Sequence, residues 1–267
     1  MPPALGRTER FGRVASTNDV VRDWLASGEE EICLALADEQ TAGRGRNGRT
    51  WNAPPGAGLL LSLGLRPIWL PADRVWRLAA AVSLAMAEAA EDVARLPDGT
   101  IRLKWPNDLV IVAEGSGADA PAVRKLGGVL GETEGLGTSD PRVVIGIGLN
   151  ADWRATDFPP DLAAAMTSLR TASGDRPVDR DALVKRFIER LEARVRDLHG
   201  GHFDAAGWTG RQVTTGRRLD LTQPDGMIVT TTGAGVDAET GALVISTLGL
   251  ERSVLVGEIR HVRLGSV

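Results

Sequence analysis

Apolar residues recur along the chain in two rhythms. Val75, Leu78, Ala79, Val82, Met86, Ala89, Ala90 and Val93 fall three or four apart, the spacing of one buried helical face. Leu183, Phe187, Ile188, Leu191, Val195 and Leu198 repeat that spacing and predict a second long helix over Asp179 to Leu198. A shorter helix is predicted from Ser16 to about Ser27. Ser16 and Thr17 offer an N-cap, Asp19 stands where a capping partner belongs, and Gly28 supplies the stop. Short apolar runs bounded by turn residues predict strands: EICLALAD at 31–38, LLLSLGL at 59–65, then IRLKW, DLVIVA, RKLGGVLGETE and RVVIGIGLNAD after Gly99. Between the second and third of these last four lies EGSGADAPA (114–122), a small-residue segment that reads as a mobile hairpin loop.

From about Val213 the pattern changes. RLDLTQ, MIVTTTGAGVDAE, ALVISTL and VLVGEIRHVRL are short runs rich in Val, Ile and Thr, separated by Pro-Asp-Gly, Thr-Gly and Leu-Gly turns. A stretch of about 55 residues with several strands and no helix predicts a small barrel appended to an α+β domain. The boundaries expected are 1–210 for the α+β domain and 211–267 for the barrel.

Composition narrows the class. The chain has 267 residues, 43% of them hydrophobic, and a formal net charge of −4, an ordinary globular make-up. No apolar run approaches the ~18 residues of a membrane span, and the N-terminus shows no apolar core of a signal peptide. Cys33 is the one cysteine, so no internal disulfide and no cysteine-based zinc cluster can form, and a reducing cytoplasm is the natural setting. The basic residues are unevenly split into 28 Arg and three Lys. Genomic base composition accounts for the excess of Arg, and it draws attention to where Lys104, Lys125 and Lys185 survive.

The sharpest chemical feature is Gly43-Arg44-Gly45-Arg46-Asn47-Gly48-Arg49-Thr50-Trp51. Glycines let backbone N–H groups approach an anion while guanidinium forks close over it, each charge-assisted bond contributing about 1.5–3 kcal/mol. Three arginines on one loop repel each other, so the loop is expected to be loose when empty and ordered by a phosphate-bearing ligand. A solvated basic turn or an RGG-like nucleic-acid segment would share the composition. Placement between two apolar strands of an acidic protein favours a ligand site. G-x-x-x-x-G-K-[ST] is absent. Gly146-Ile147-Gly148-Leu149-Asn150-Ala151 matches a dinucleotide fingerprint, but Asp152-Trp153 lead toward Phe158-Pro159-Pro160 instead of a helix. Lys104-Trp105-Pro106-Asn107-Asp108 is good turn chemistry that also projects Lys104, Asn107 and Asp108 in fixed directions at a strand end. Lys125 opens a glycine-rich apolar strand in which a ligand or another backbone can come close. Lys185 lies on a helical polar face. His199 and His202 flank two glycines; with no third His or Cys nearby they read as a surface linker, and no metal-ligating protein residue is expected.

STN at 16–18, EQTAGRGRNGRTW at 39–51, KWPND at 104–108, KLGGVLGE at 125–132 and GIGLN at 146–150 resemble, in order and spacing, the motifs of biotin–protein ligases. The late GAGVDAETGALVI resembles that family's C-terminal barrel. The resemblance implies an α+β fold with a mixed or antiparallel sheet and packed helices, like class II aminoacyl-tRNA synthetases, plus a small Src-homology-3-like β-barrel. It implies a reaction in two steps: biotin and ATP give biotinyl-5′-AMP, and biotin then passes to a lysine of a biotin carboxyl carrier domain. A carboxylate is already a nucleophile, so the first step needs charge neutralisation more than an activated side chain.

By the same resemblance Ser16, Thr17, Asn18 and Gln40 would contact the biotin ring. Gly43, Arg44, Gly45 and Arg46 would close over biotin and its adenylate, with Arg46 at the carboxylate and α-phosphate. Arg49 would meet the pyrophosphate side and Trp51 would wall the adenine. Lys104 and Lys125 would stabilise charge as the carboxylate attacks phosphorus, Lys125 also touching biotin. Asn107 and Asn150 would be adenylate-side polar contacts, and Asp108 would orient the acceptor lysine, acting as its base. Magnesium would arrive with ATP, held through the phosphates. Two departures are visible: Gly127 replaces the family's usual alanine, and the 114–123 loop is long. No helix-turn-helix precedes the first helix, so DNA binding is not expected; a monomer or homodimer is. The alternatives on this sequence are a lipoyl or octanoyl ligase or transferase on the same fold, and a nucleic-acid-binding regulator.

Overall fold

The computed structural model of the protein describes residues 5–29, 32–113, 122–255 and 258–263. A seven-stranded sheet carries the larger part. In chain order its strands are β1 (Thr8–Val14), β2 (Cys33–Gln40), β3 (Gly58–Leu65), β4 (Ile101–Lys104), β5 (Asp108–Ala113), β6 (Ala122–Glu134) and β7 (Arg142–Asn150). They lie side by side as β1-β2-β3-β7-β6-β5-β4. β1 runs parallel to β2, and every other pairing is antiparallel.

The two-residue period of the strands gives the sheet two unlike faces. Leu59, Leu61 and Leu63 of β3 and Ile145, Ile147 and Leu149 of β7 pack against α2 (Trp76–Ala94), a helix with few exposed residues because a second apolar layer covers it. Several alternate residues of the same strands are small. Ser62 pairs with Gly146, and Gly148 pairs with Gly128 on one side and with the larger Leu60 on the other. α1 (Thr17–Ala26) packs on this second face through Val21, Trp24 and Leu25. A Cβ on Gly64 would stand 2.6 Å from Val21 Cγ1, so the glycine sets how closely α1 approaches. The floor beyond the N-terminus of α1 is left open, and that opening is the site.

Behind α2 runs α4 (Arg180–His199), capped by Asp179, which accepts from the amides of Asp181 and Ala182. Two short helices, α3 (Leu169–Ala172) and α5 (Ala205–Gly210), flank it in sequence. The chain then builds a five-stranded antiparallel sheet from β8 (Arg217–Thr222), β9 (Ile228–Val236), β10 (Leu243–Thr247), β11 (Leu250–Val254) and β12 (Glu258–Arg263), in the order β11-β10-β9-β8-β12.

The two sheets are tied closely. Leu103 of β4 donates to Arg211 O at 2.8 Å and accepts from Val213 N at 2.8 Å. Glu91, 3% exposed, accepts from Ile101 N at 2.7 Å and from both Nη atoms of Arg211 at 2.8 and 2.9 Å. Trp105 leaves the end of β4 and inserts among Leu219, Leu221, Leu243, Ile245 and Ile259. Its indole Nε1 donates to Gly241 O at 3.1 Å.

The three long helices and most strands of both sheets lie where the periodicity predicts, with two exceptions. β1 was not anticipated: TERFGRV, on a half-exposed sheet edge, mixes charged and apolar residues and carries no apolar run. VLVGEIRHVRL, expected as one strand, contributes to both β11 and β12, which sit at opposite edges of the small sheet. The expected hairpin loop falls at 114–121, outside the described residues.

Candidate functional site

A cavity of about 1130 Å³ opens on the small-residue face of the large sheet. Thirteen of the fifteen candidate residues line it; Gly43 and Asn150 do not.

One corner is built by the N-terminus of α1. Gln40 Oε1 accepts from Thr17 N at 2.7 Å and lies 2.9 Å from Thr17 Oγ1. The Thr17 and Ser62 hydroxyls are 2.7 Å apart, and Ser62 Oγ donates to Asn18 Oδ1 at 2.6 Å. These bonds engage the acceptors and fix the Asn18 amide, whose Nδ2 is buried with no partner among the described residues. A buried donor without an acceptor is costly unless a ligand supplies one. A Cβ on Gly146 would lie 2.2 Å from Asn18 Oδ1, so only glycine admits this amide. Gly146→Ala is therefore expected to displace Asn18 and raise the KM for the ligand of this corner about tenfold, with little change in kcat. Steady-state kinetics separates the two, and the size follows from one lost hydrogen bond of about 1–2 kcal/mol.

The glycine–arginine loop crosses the mouth. It is a tight hairpin: Arg44 bridges Thr50, Gly45 N donates to Arg49 O at 2.7 Å and Trp51 N donates to Gly43 O at 2.9 Å. Arg46–Gly48 form a turn whose Asn47 and Gly48 have φ of 57° and 71°. Gly43 is buried, and a Cβ there would lie 2.4 Å from Trp51 O, so glycine is needed for backbone closure of the hairpin. Ion pairs hold the loop as well. Arg44 donates from Nη1 to Asp19 Oδ2 at 2.8 Å and from Nη2 to Asp19 Oδ1 at 2.7 Å, and its Nη2 is 3.4 Å from Glu132 Oε1. These two acids offset the repulsion among the three loop arginines. Asp19 itself does not cap α1 by a side-chain bond, as the sequence pattern suggested; Arg44 and Arg22 take it.

Trp51 lies flat on Gly148, where a Cβ would come within 2.4 Å of the indole. Lys125 Nζ sits 5.6 Å from the centre of that ring and 2.6 Å from Asp108 Oδ1. Lys104 Nζ is 4.0 Å from Asp108 Oδ2. Two ammonium groups thus share one carboxylate at the cavity wall, brought together because β4, β5 and β6 are neighbours. The turn between β4 and β5 contains a cis Trp105–Pro106 bond. Asn107 lines the cavity, but its Nδ2 donates to Val129 O at 2.9 Å and its carbonyl accepts from Val129 N at 2.9 Å, so it pins the turn to β6.

Asn150 stands behind the wall, fully buried, with Nδ2 donating to Thr167 O at 3.0 Å. That bond holds the 165–167 segment beside Lys125, whose N donates to Ala165 O and whose O accepts from Thr167 N. At Gly127, the departure noted in the sequence, a Cβ would meet Gly148 O at 2.7 Å, so here the alanine common in the family would force the two strands apart. Sequence reading missed several contributors. Ser62 was visible only as one hydroxyl inside LLLSLGL. Trp153 and Met166 of the outer wall, and the buried Asp220 from β8, carried no signal.

Five cations line the cavity, Arg44, Arg46 and Arg49 from the hairpin loop and Lys104 and Lys125 beside Asp108, and no histidine or cysteine lines it among the described residues. Fold and site define an α+β enzyme that handles an anionic ligand without a nucleophilic dyad. The model of the biotin/lipoate A/B protein ligase family matches residues 11–150. The biotin–[acetyl-CoA-carboxylase] ligase of Mycobacterium tuberculosis is 31% identical over 253 residues, covering 94% of this chain and 87% of that one. Paracoccus denitrificans has a protein of the same name that is 38% identical over 132 residues, 47% of each chain. The solved biotin protein ligase of Aquifex aeolicus in complex with biotin and ATP superposes with a TM-score of 0.76 at 24% identity, over 96% of this chain and 98% of that one. The chain belongs to the biotin/lipoate A/B protein ligase family.

Proposed function

We propose that the protein is an ATP-dependent biotin–protein ligase. The observation that carries this reading is the presence, in one cavity, of a buried amide donor at Asn18 with no partner among the described residues and of a cluster of arginines and lysines. The first suits the ureido oxygen of a neutral fused ring, the second a carboxylate meeting a phosphate. Among the family's activities, the biotin reading is supported over the lipoyl or octanoyl one by the complete GRGRNGRTW signature and by relatives named as biotin ligases.

In the first step the biotin carboxylate oxygen attacks the α-phosphorus of ATP. A P–O bond forms, the bond to the β-phosphate bridge breaks, and pyrophosphate leaves. Arg46, Lys104 and Lys125 neutralise the charge that gathers there, while Arg49 faces the departing pyrophosphate and Trp51 walls the adenine. In the second step a carrier lysine amine attacks the acyl carbon; the amide C–N bond forms, the C–O bond to AMP breaks, and the amine loses a proton. Asp108 orients that amine and accepts the proton as the two lysines release its carboxylate.

Magnesium would enter on the ATP phosphates, since Asp108 is engaged by Lys125 and Lys104. The partner is the biotin carboxyl carrier domain of a biotin-dependent carboxylase, met by a monomer or homodimer in the cytoplasm. No helix among the described residues is long and apolar enough to cross a membrane. We further assign residues 1–210 to catalysis and 211–267 to a Src-homology-3-like barrel; the support is the five-stranded antiparallel sheet. The nucleic-acid reading is weakened because Arg44 is committed to Asp19 and Glu132.

Exchange of labelled pyrophosphate into ATP tests the first step. Exchange that needs biotin, and that neither octanoate nor lipoate supports, is the expected result. Exchange driven by the fatty acids instead assigns the lipoyl branch.

A further inference from the structure

Arg44 and Asp19 stand 25 residues apart in sequence, yet they form the most complete ion pair in the cavity wall. Both guanidinium nitrogens meet both carboxylate oxygens, at 2.7 and 2.8 Å. Arg22, three residues along α1, donates to the same Asp19 at 2.6 Å and also to Glu132. Glu132 closes the figure on Arg44 at 3.4 Å. Two cations and two anions therefore make a neutral square that joins three segments: the loop at 43–51, the first turn of α1, and β6.

We propose that Asp19 is a positioning residue of the biotin site, a latch that holds the glycine–arginine loop closed over biotin and its adenylate through Arg44, with Arg22 and Glu132 completing the latch. This rests on the biotin-ligase reading and adds to it the control of loop closure.

The placement gives the latch its effect. Asp19 follows Asn18 directly, so the loop is locked to the same helical turn that carries the ring-binding amide. The four side chains are between 28% and 42% exposed, where a single bridge contributes little, but bidentate geometry and a shared network are the conditions under which such pairs do contribute. The Arg44 guanidinium holds the Asp19 carboxyl below its ordinary range, so the pair stays charged at and below neutral pH. A site that is closed for only a fraction of the time binds its ligand weaker by that fraction and releases it sooner.

The test uses the full chain with Asp19→Asn, Asp19→Glu and Arg44→Ala. Two readouts are taken: tryptic cleavage after Arg46 and Arg49 in the protein without ligand, and the rate at which biotinyl-5′-AMP leaves. Asp19→Asn is expected to raise both about fivefold and to raise the biotin KM more than it lowers kcat. Asp19→Glu restores most of the loss. Asp19→Asn combined with Arg44→Ala is expected to lose less than the sum of the two single losses, because the bidentate pair is removed in either case. Unchanged cleavage and release in Asp19→Asn, or additive losses in the double variant, overturn the latch. A wild-type protein that forms no adenylate defeats the ligase reading itself. One that forms it, beside an Asp19→Asn protein that releases it no faster, defeats only the latch.

Discussion

Lys125→Ala lowers the rate of adenylate formation by about 10²–10³-fold, the loss typical of removing one preorganised charge from a developing anion. The side chain is placed for that role by its backbone. β6 pairs with β5 on both sides of a bulge between Leu109 and Val110, with Lys125 opposite Val110, and the 165–167 segment takes the other side of Lys125. Its Nζ is directed to Asp108 and the face of Trp51. Lys125→Arg is not expected to restore activity, because a planar fork needs different geometry from a compact ammonium in a space bounded by Gly128 and Trp51. Circular dichroism should show the fold unchanged in both variants, since Lys125 makes no apolar core contact. Full activity in Lys125→Ala contradicts the assigned role.

Trp105→Ala has the largest expected effect on stability, about 3–5 kcal/mol by urea denaturation, the range for deleting a buried indole. Trp105 is 4% exposed and completes the apolar cluster of the small sheet. It also sits between Lys104 and Asp108, so its loss should dislocate both. Trp105→Phe keeps most of the packing and loses the bond to Gly241 O. It is expected to cost less than half as much and to retain activity. A Trp105→Ala protein as stable as the parent would show that the two sheets are not coupled through this residue.

Elements with a sustained apolar rhythm were legible in the sequence. α2 and α4 declare themselves because each buries a continuous face, and β3 because its core-facing leucines are unbroken. β1 was not legible: an edge strand half in water needs no apolar run. In the site, contiguous motifs were legible and their partners were not. Nothing local marks Ser62 as the hydroxyl that fixes Asn18, 44 residues away, or Asp19 as the partner of Arg44. Motif membership also does not separate contact from support. Gly43 and Asn150 belong to the motifs but stand inside the wall, one closing a hairpin and the other holding the 165–167 segment. The glycines of GIGLN, which imitate a dinucleotide loop, instead clear the space that Asn18 and Trp51 occupy. The scarcity of lysine kept its meaning: two of the three face Asp108 across the cavity wall, and the third, Lys185, lies exposed on α4.

The most direct test of the ligase account is intact-mass spectrometry of a carrier domain whose acceptor lysine lies between two methionines, incubated with the purified protein, biotin and MgATP. The expected result is the addition of a single biotin to that lysine, dependent on ATP and lost when the lysine is replaced by arginine. An unmodified carrier, under conditions in which a known ligase modifies it fully, contradicts the account.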